Sequence, residues 1–215
     1  MLIASPARRH QKPLIIAGVI LFAGVIMLQP TFPQLKPQLL LVALIGVVLI
    51  AAGFAIKLEP AISMSLSQTK LRYFHRYGQW SVPWQNIQRV FQPSFTYQLE
   101  QKEIPYIAIR LDDIEVIIER ISPRLASRLI HEQRDIMVLA CQQGDIAPEQ
   151  VQINFAPYKT RSGYQLNGPI AGFLHQVTVL NKAYGAHLFI PTSCFTQSSS
   201  ELIELLNQYK RSSVL

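Results

Sequence analysis

The chain has 215 residues, 49% of them hydrophobic and only 15% charged, where a globular domain averages about 25% charged. That composition excludes intrinsic disorder, and 10 glycines, 14 prolines and two cysteines exclude collagen-like and disulfide-scaffolded chains. The net charge of +7 suggests nucleic acid only until it is divided: Arg8, Arg9, Lys12 and Lys36 supply four of the excess charges within the first 56 residues, so no nucleic-acid partner is expected.

Residues 14–28 are all apolar or glycine, and 39–56 are eighteen more without a polar side chain. At 1.5 Å per residue eighteen residues cover roughly 27 Å, close to the roughly 30 Å hydrocarbon core of a bilayer. The first stretch is shorter and needs Pro13 or the residues up to Phe32, so the two spans are expected at about 14–32 and 38–56. Arg8, Arg9 and Lys12 before an apolar run also imitate a secretory leader, but Met27-Leu28-Gln29-Pro30 lacks the small residues of a cleavage site. A pair of soluble core helices would each need a polar face, and neither stretch has one.

Lys and Arg flank the outer ends of the pair: three in the basic tail 1–13, then Lys57, Lys70, Arg72 and Arg76 after the second span, with only Lys36 in the loop 29–38. Both termini are therefore expected in the cytoplasm, and in a bacterium such a chain is a multi-pass protein of the inner membrane. Cys141 and Cys194 would then face a reducing compartment, and buried inert thiols are the expectation for both.

From Ala61 the hydropathy alternates. Leu71, Tyr73, His75 and Tyr77 share one strand face, with Lys70, Arg72, Phe74 and Arg76 on the other. Gly78-Gln79 is expected to turn the chain, Trp80-Ser81-Val82 to return it, and residues 84–91 to form a third strand. A polar break at 100–103 precedes a strand at 106–111, Asp112-Asp113 marks a turn, and 114–119 a further strand. Ser122-Pro123 opens one long helix to Gly144, with Leu125, Ala126, Leu129, Ile130, Ile136, Met137 and Ala140 as its apolar stripe and Arg124, Arg128, Glu132, Arg134 and Asp135 outside.

Residues 151–155 are expected as a strand, and Asn167-Gly168-Pro169 starts a helix that runs to Gly185. Ala186 to Ile190 form a short buried strand stopped by Pro191, and Ser198-x-x-Glu201 is a capping box opening a last amphipathic helix. Residues 145–215 are thus a smaller α+β segment, either a second domain or a wrap around the first.

The pattern Leu66-x-x-Thr69-x-Leu71, Gly78-x-Trp80, Trp84-x-x-Ile87-x-x-Val90 and a closing amphipathic helix resembles the bacterial PH-like domains that follow membrane spans, over residues 61–143. The whole chain, with its later His187-Leu188-Phe189-Ile190-Pro191, also resembles a bacterial membrane family known as domain of unknown function 2982. These resemblances imply a fold class, a membrane helical hairpin followed by an α+β cytoplasmic region with a PH-like antiparallel meander, and they bring no catalytic motif.

The chain has no dinucleotide or phosphate loop, no His-Glu-x-x-His and no Gly-x-Ser-x-Gly, and no two of His10, His75, His131, His175 and His187 lie three to five residues apart. No enzyme activity, metal or cofactor is expected. Asp112, Asp113 and Glu115 could crowd into an acid-base group, but turn chemistry explains them first, and Ser193-Cys194 has no partner base. The constellation with a mechanism is the basic strand face Lys70, Arg72 and Arg76, with Arg89 beside it, as a binder of anionic lipid. The expectation is a membrane-anchored binding or scaffolding module with a protein partner or self-association, and a sensor of anionic headgroups as the alternative.

Overall fold

The computed structural model describes residues 1–6, 11–97 and 100–213. They form two compact units: residues 5–61, and a second made of Met1–Ala4 together with Ile62–Leu215. Arg8, Arg9 and His10 lie outside the described residues.

The first unit is a pair of helices, α1 (Gln11–Leu28) and α2 (Lys36–Lys57), each long and apolar enough to cross a membrane. Helix α1 stops at Leu28, before the expected 32, since Pro30 has no amide to extend the ladder. Helix α2 starts at Lys36, two residues before the expected 38, because Pro37 falls in its first turn, where a missing donor costs nothing. The helices meet through glycine. A Cβ on Gly18 would stand 2.7 Å from the Gly46 carbonyl oxygen, and one on Gly53 would overlap Ile15. Large side chains such as Ile20, Leu40, Leu44 and Val48 face outward.

The second unit is an antiparallel, strand-rich α+β body. Strand β1 (Leu2–Ala4) precedes α1 in the chain, yet it pairs with β2 (Ile62–Leu66), which follows α2. β3 (Lys70–His75) and β4 (Gly78–Pro83) complete a sheet of order β1-β2-β3-β4. Alternation decides its buried face: Ile3 lies opposite Met64, Leu71 opposite Val82 and Tyr73 opposite Trp80, all buried. The turn between β3 and β4 is Arg76-Tyr77, two residues earlier than the expected Gly78-Gln79. Gly78 instead starts β4 at φ 147°, where a Cβ would lie 2.8 Å from the Ser122 hydroxyl.

A 3-10 turn, Trp84–Asn86, breaks the expected third strand, so that β5 is Ile87–Phe91. It pairs with β8 (Tyr106–Leu111), and β6 (Ser94–Tyr97) with β7 (Glu100–Glu103) continues the two as an exposed ribbon. The expected polar break at 100–103 is thus a paired strand; its four side chains are all exposed, which is why no alternation marks it. Residues 114–119 form a 3-10 helix, Ile114–Arg120, and no strand, because the Asp113 carboxylate accepts the Glu115 amide at 3.0 Å and nucleates the turn.

The expected long helix is two, α3 (Pro123–Glu132) and α4 (Arg134–Gln142). They part at Gln133, whose backbone leaves helical geometry while its buried side chain donates to the Phe189 carbonyl at 3.3 Å. Residues 151–155 are no strand: a 3-10 turn, Pro148–Val151, leads into irregular chain there, with Ile153 and Phe155 exposed. A two-residue bridge of β9 (Tyr158–Lys159) and β10 (Gln165–Leu166) precedes α5 (Gly168–Tyr184). Helix α5 ends on Gly185 at φ 69°.

The question of residues 145–215 is answered by β11 (Leu188–Pro191), which joins β8 to give a second sheet of order β11-β8-β5. Its alternation splits the core. Ile107, Ile109, Leu188 and Ile190 enter the main cluster with the first sheet and α3, and Ala108 and Phe189 enter a smaller one with Ile136, Met137 and Leu180. Helix α6 (Ser199–Ser213), opened by the Ser198 and Glu201 capping box, closes the main cluster with Leu202 and Leu206.

Ile3 is only 1% exposed. Ile3→Ala is expected to destabilise the second unit by about 2–4 kcal/mol, lowering Tm by roughly 5–15 °C in a thermal melt of the detergent-solubilised chain.

Candidate functional site: a basic surface around Tyr77

Strand β3 carries the expected basic face only in part. Lys70 and Arg72 alternate with the buried Leu71 and Tyr73 and lie half-buried on the outer face with Phe74, the Arg72 guanidinium 5.9 Å from the Phe74 ring centre. Arg76 is in the turn beyond the strand. Arg89 belongs to the other sheet, where β5 places it directly opposite Arg110 on β8 and 4.5 Å from the Phe91 ring centre. Lys70, Arg72 and Arg89 therefore do not share one strand face.

Arg76 instead joins a cluster that β3 alone does not show. Three guanidinium carbons surround the Tyr77 ring: Arg76 at 5.8 Å, Arg124 at 5.2 Å and Arg128 at 5.4 Å from its centre. Arg124 and Arg128 stand one turn apart on α3, whose inner stripe, Leu125, Ala126, Leu129 and Ile130, is buried and leaves them outward. Ser122 sets the start of that helix by accepting the Leu125 amide at 3.2 Å.

A closed circuit of polar contacts holds the turn against the helix. The Tyr77 amide donates to His75 Nδ1 at 3.3 Å, and His75 Nε2 stands 3.3 Å from a Glu132 carboxylate oxygen. Glu132 accepts from Arg128 Nε at 2.7 Å, and the Arg128 guanidinium returns to the Tyr77 ring. Burial raises the Glu132 pKa, but the hydrogen bonds from His75 and Arg128 outweigh it and the carboxyl ends below its ordinary value. Beside this circuit runs a shallow groove of about 450 Å³ lined by Tyr77, Arg124, Ser127, Arg128 and His131.

The other candidates are accounted for by structure. Asp112 and Asp113 form a turn: Asn86 donates to the Asp113 carbonyl at 2.7 Å and accepts the Asp113 amide at 2.8 Å, and Glu115 accepts the Arg161 amide at 2.6 Å. Cys194 lies 3.6 Å from the Tyr73 hydroxyl, and Ser193 belongs to a 3-10 turn before α6. Among the described residues no three of His, Cys, Asp and Glu come together as a metal site. Cluster formation around Tyr77 was legible only in fragments. Arg124, Arg128 and Glu132 stand at i, i+4 and i+8 on one helix face, but their meeting with Arg76 depends on where the β3-β4 turn docks.

One further histidine is unusual. His187 accepts the Leu111 amide at Nδ1, 3.0 Å away, and burial, then the charges of Arg110 and Arg161, push its pKa down to about 4. The unfolded imidazole protonates near the ordinary 6.5, so acid between those values binds preferentially to the unfolded chain; the stability contribution is whole above pH 6.5 and is lost as pH falls toward 4. An NMR titration is expected to show the His187 ring unchanged from pH 8 to pH 5, while a histidine with an ordinary pKa titrates near 6.5. Glu132→Gln is expected to cost about 1 kcal/mol, most at low salt, where the neighbouring guanidinium charges are least screened; urea melts at two ionic strengths measure it.

The profile of one protein family, described as a protein of unknown function (DUF2982), matches residues 64–212. No curated protein and no solved structure matches the chain. The matched stretch runs from β2 through the Tyr77 cluster and β11 into α6, well over half of the chain, and the chain belongs to the DUF2982 family.

Proposed function

We propose that the chain is an inner-membrane-anchored binding module, in which two spans hold a PH-like cytoplasmic domain that engages a protein partner or a second copy of itself and performs no reaction of its own. The observation that carries this reading is the pairing of β1 with β2. The strands enter and leave the helical pair, so if both helices cross a bilayer their outer ends must emerge on one face of it. The bias of Lys and Arg toward those ends supports the cytoplasmic face.

Four strands in one sheet, three in the other and an amphipathic helix across them support the PH-like reading. The domain hangs on a short thread. Only residues 58–61 separate α2 from β2, a reach of about 17 Å at full extension. A binding surface on it would work close to the headgroup layer.

A second reading, binding of anionic lipid, is favoured by the cations gathered at Tyr77. Two basic surfaces compete for that role, Lys70 and Arg72 on β3 and the cluster that Arg76 joins at the turn.

Topology is the first test. Alkaline phosphatase fused within the loop 29–35 is expected to be active and a fusion after residue 213 inactive; the reverse pattern, or activity at both sites, overturns the placement. Affinity purification of the tagged chain from mild detergent is expected to return one recurrent partner or a second, differently tagged copy. Return of neither in repeated preparations overturns the binding role.

A further inference from the structure

Arg124 and Arg128 repel one another as like charges one helical turn apart, and both are held beside the same ring as Arg76. Among the described residues Arg124 has no carboxylate partner. Arg128 gives only its Nε to Glu132, which leaves the two terminal nitrogens of its fork for another acceptor. Ser127 and His131 line the same groove. A planar guanidinium pair with a hydroxyl beside it suits the tetrahedral oxygens of a phosphate, which can take two parallel bonds from each fork.

We infer that the groove beside Tyr77 is a headgroup site for an anionic phospholipid, with Arg124 and Arg128 binding the phosphate, Ser127 donating a hydrogen bond and the Tyr77 ring holding both forks in place. This rests on the second reading above and narrows it: the site lies on the α3 face and not on the Lys70 and Arg72 strand face. A lipid is favoured over a free phosphate by the tether. If α2 crosses a bilayer, four linking residues keep the domain where phospholipid headgroups are the most concentrated anions. The circuit through His75, Glu132 and Arg128 is what prepares the site, since it fixes the Arg128 side chain before any ligand arrives.

The test uses the full chain in an uncharged maltoside detergent, titrated with dioctanoyl phosphatidylglycerol, dioctanoyl phosphatidylcholine and inorganic phosphate, binding being read by thermophoresis at two salt concentrations. The wild type is expected to prefer phosphatidylglycerol to phosphatidylcholine by about tenfold, with a preference that weakens as salt rises. Arg124→Gln with Arg128→Gln is expected to lose at least about fivefold in phosphatidylglycerol affinity, and Lys70→Gln with Arg72→Gln to keep it. Thermal melts of both double variants accompany the titration, and Arg124→Lys with Arg128→Lys, which keeps charge but loses the fork, should fall between.

Equal affinity for the two lipids, or unchanged binding in the Arg124 and Arg128 variant, overturns the site. Loss only in the Lys70 and Arg72 variant also overturns it while leaving the broader lipid reading standing. Displacement of phosphatidylglycerol by an equal concentration of inorganic phosphate would make this a free-anion site and overturn the lipid assignment. None of these outcomes bears on the topology fusions, so the anchor and the headgroup site fail separately.

Discussion

The pairing of β1 with β2 is the constraint on which the rest of the molecule depends. Two segments separated in sequence by the whole helical pair lie side by side in one sheet, and Ile3 from the first is packed into the same core as Met64 and Leu66 from the second. The apolar helices are thereby an insertion in the chain between two strands that pair with each other. Of the three residues of β1, Ile3 is the one that enters this core.

The Tyr77 cluster depends on that sheet one layer further out. The β3-β4 turn projects Arg76 and Tyr77 toward α3 because Gly78 leaves room for Ser122, and Ser122 begins the helix that carries Arg124 and Arg128. Magnitudes show why such a cluster is poised. At separations on the order of 6–10 Å, two like charges near a protein surface repel by roughly 0.5–2.5 kcal/mol, against about 0.5–1 kcal/mol gained by each cation over an exposed ring. The two effects nearly cancel, so a doubly bonded anion would decide the balance. Glu132 supplies part of that compensation and does so as a hydrogen-bond acceptor for His75 and Arg128 at once.

Elements with a clear apolar period or a capping signal were legible in the sequence. β3, the end of β4, β8, α5 and α6 all stand where periodicity and caps put them, as do the two apolar helices within a few residues of their ends. The differences have local causes. Strand β7 is exposed along its whole length and shows no alternation, the Ile114–Arg120 segment is turned by an Asp113 cap, and Gln133 divides a helix to reach a carbonyl 56 residues away. Of the basic residues, Lys70 and Arg72 lie where alternation put them. Arg76 leaves the strand because the turn comes two residues earlier, and Arg89 because the 3-10 turn redirects the chain into the other sheet. The grouping with Arg124 and Arg128 is a tertiary fact that no local pattern encodes.

The second sheet is finished by β11, which arrives from residue 188, and the first by β1, which arrives from residue 2. The middle of the chain, residues 61–143, therefore lacks one outer strand of each sheet, though it holds β4 and β5 at the opposite edges. Recombination that lifted this stretch alone onto another protein would move a sheet with an open β2 edge and an open β8 edge, the second of them largely apolar, and such edges seek other strands. A fragment that keeps both sheets closed must therefore carry β11 and β1, and with β1 the two apolar helices that separate it in the chain from β2.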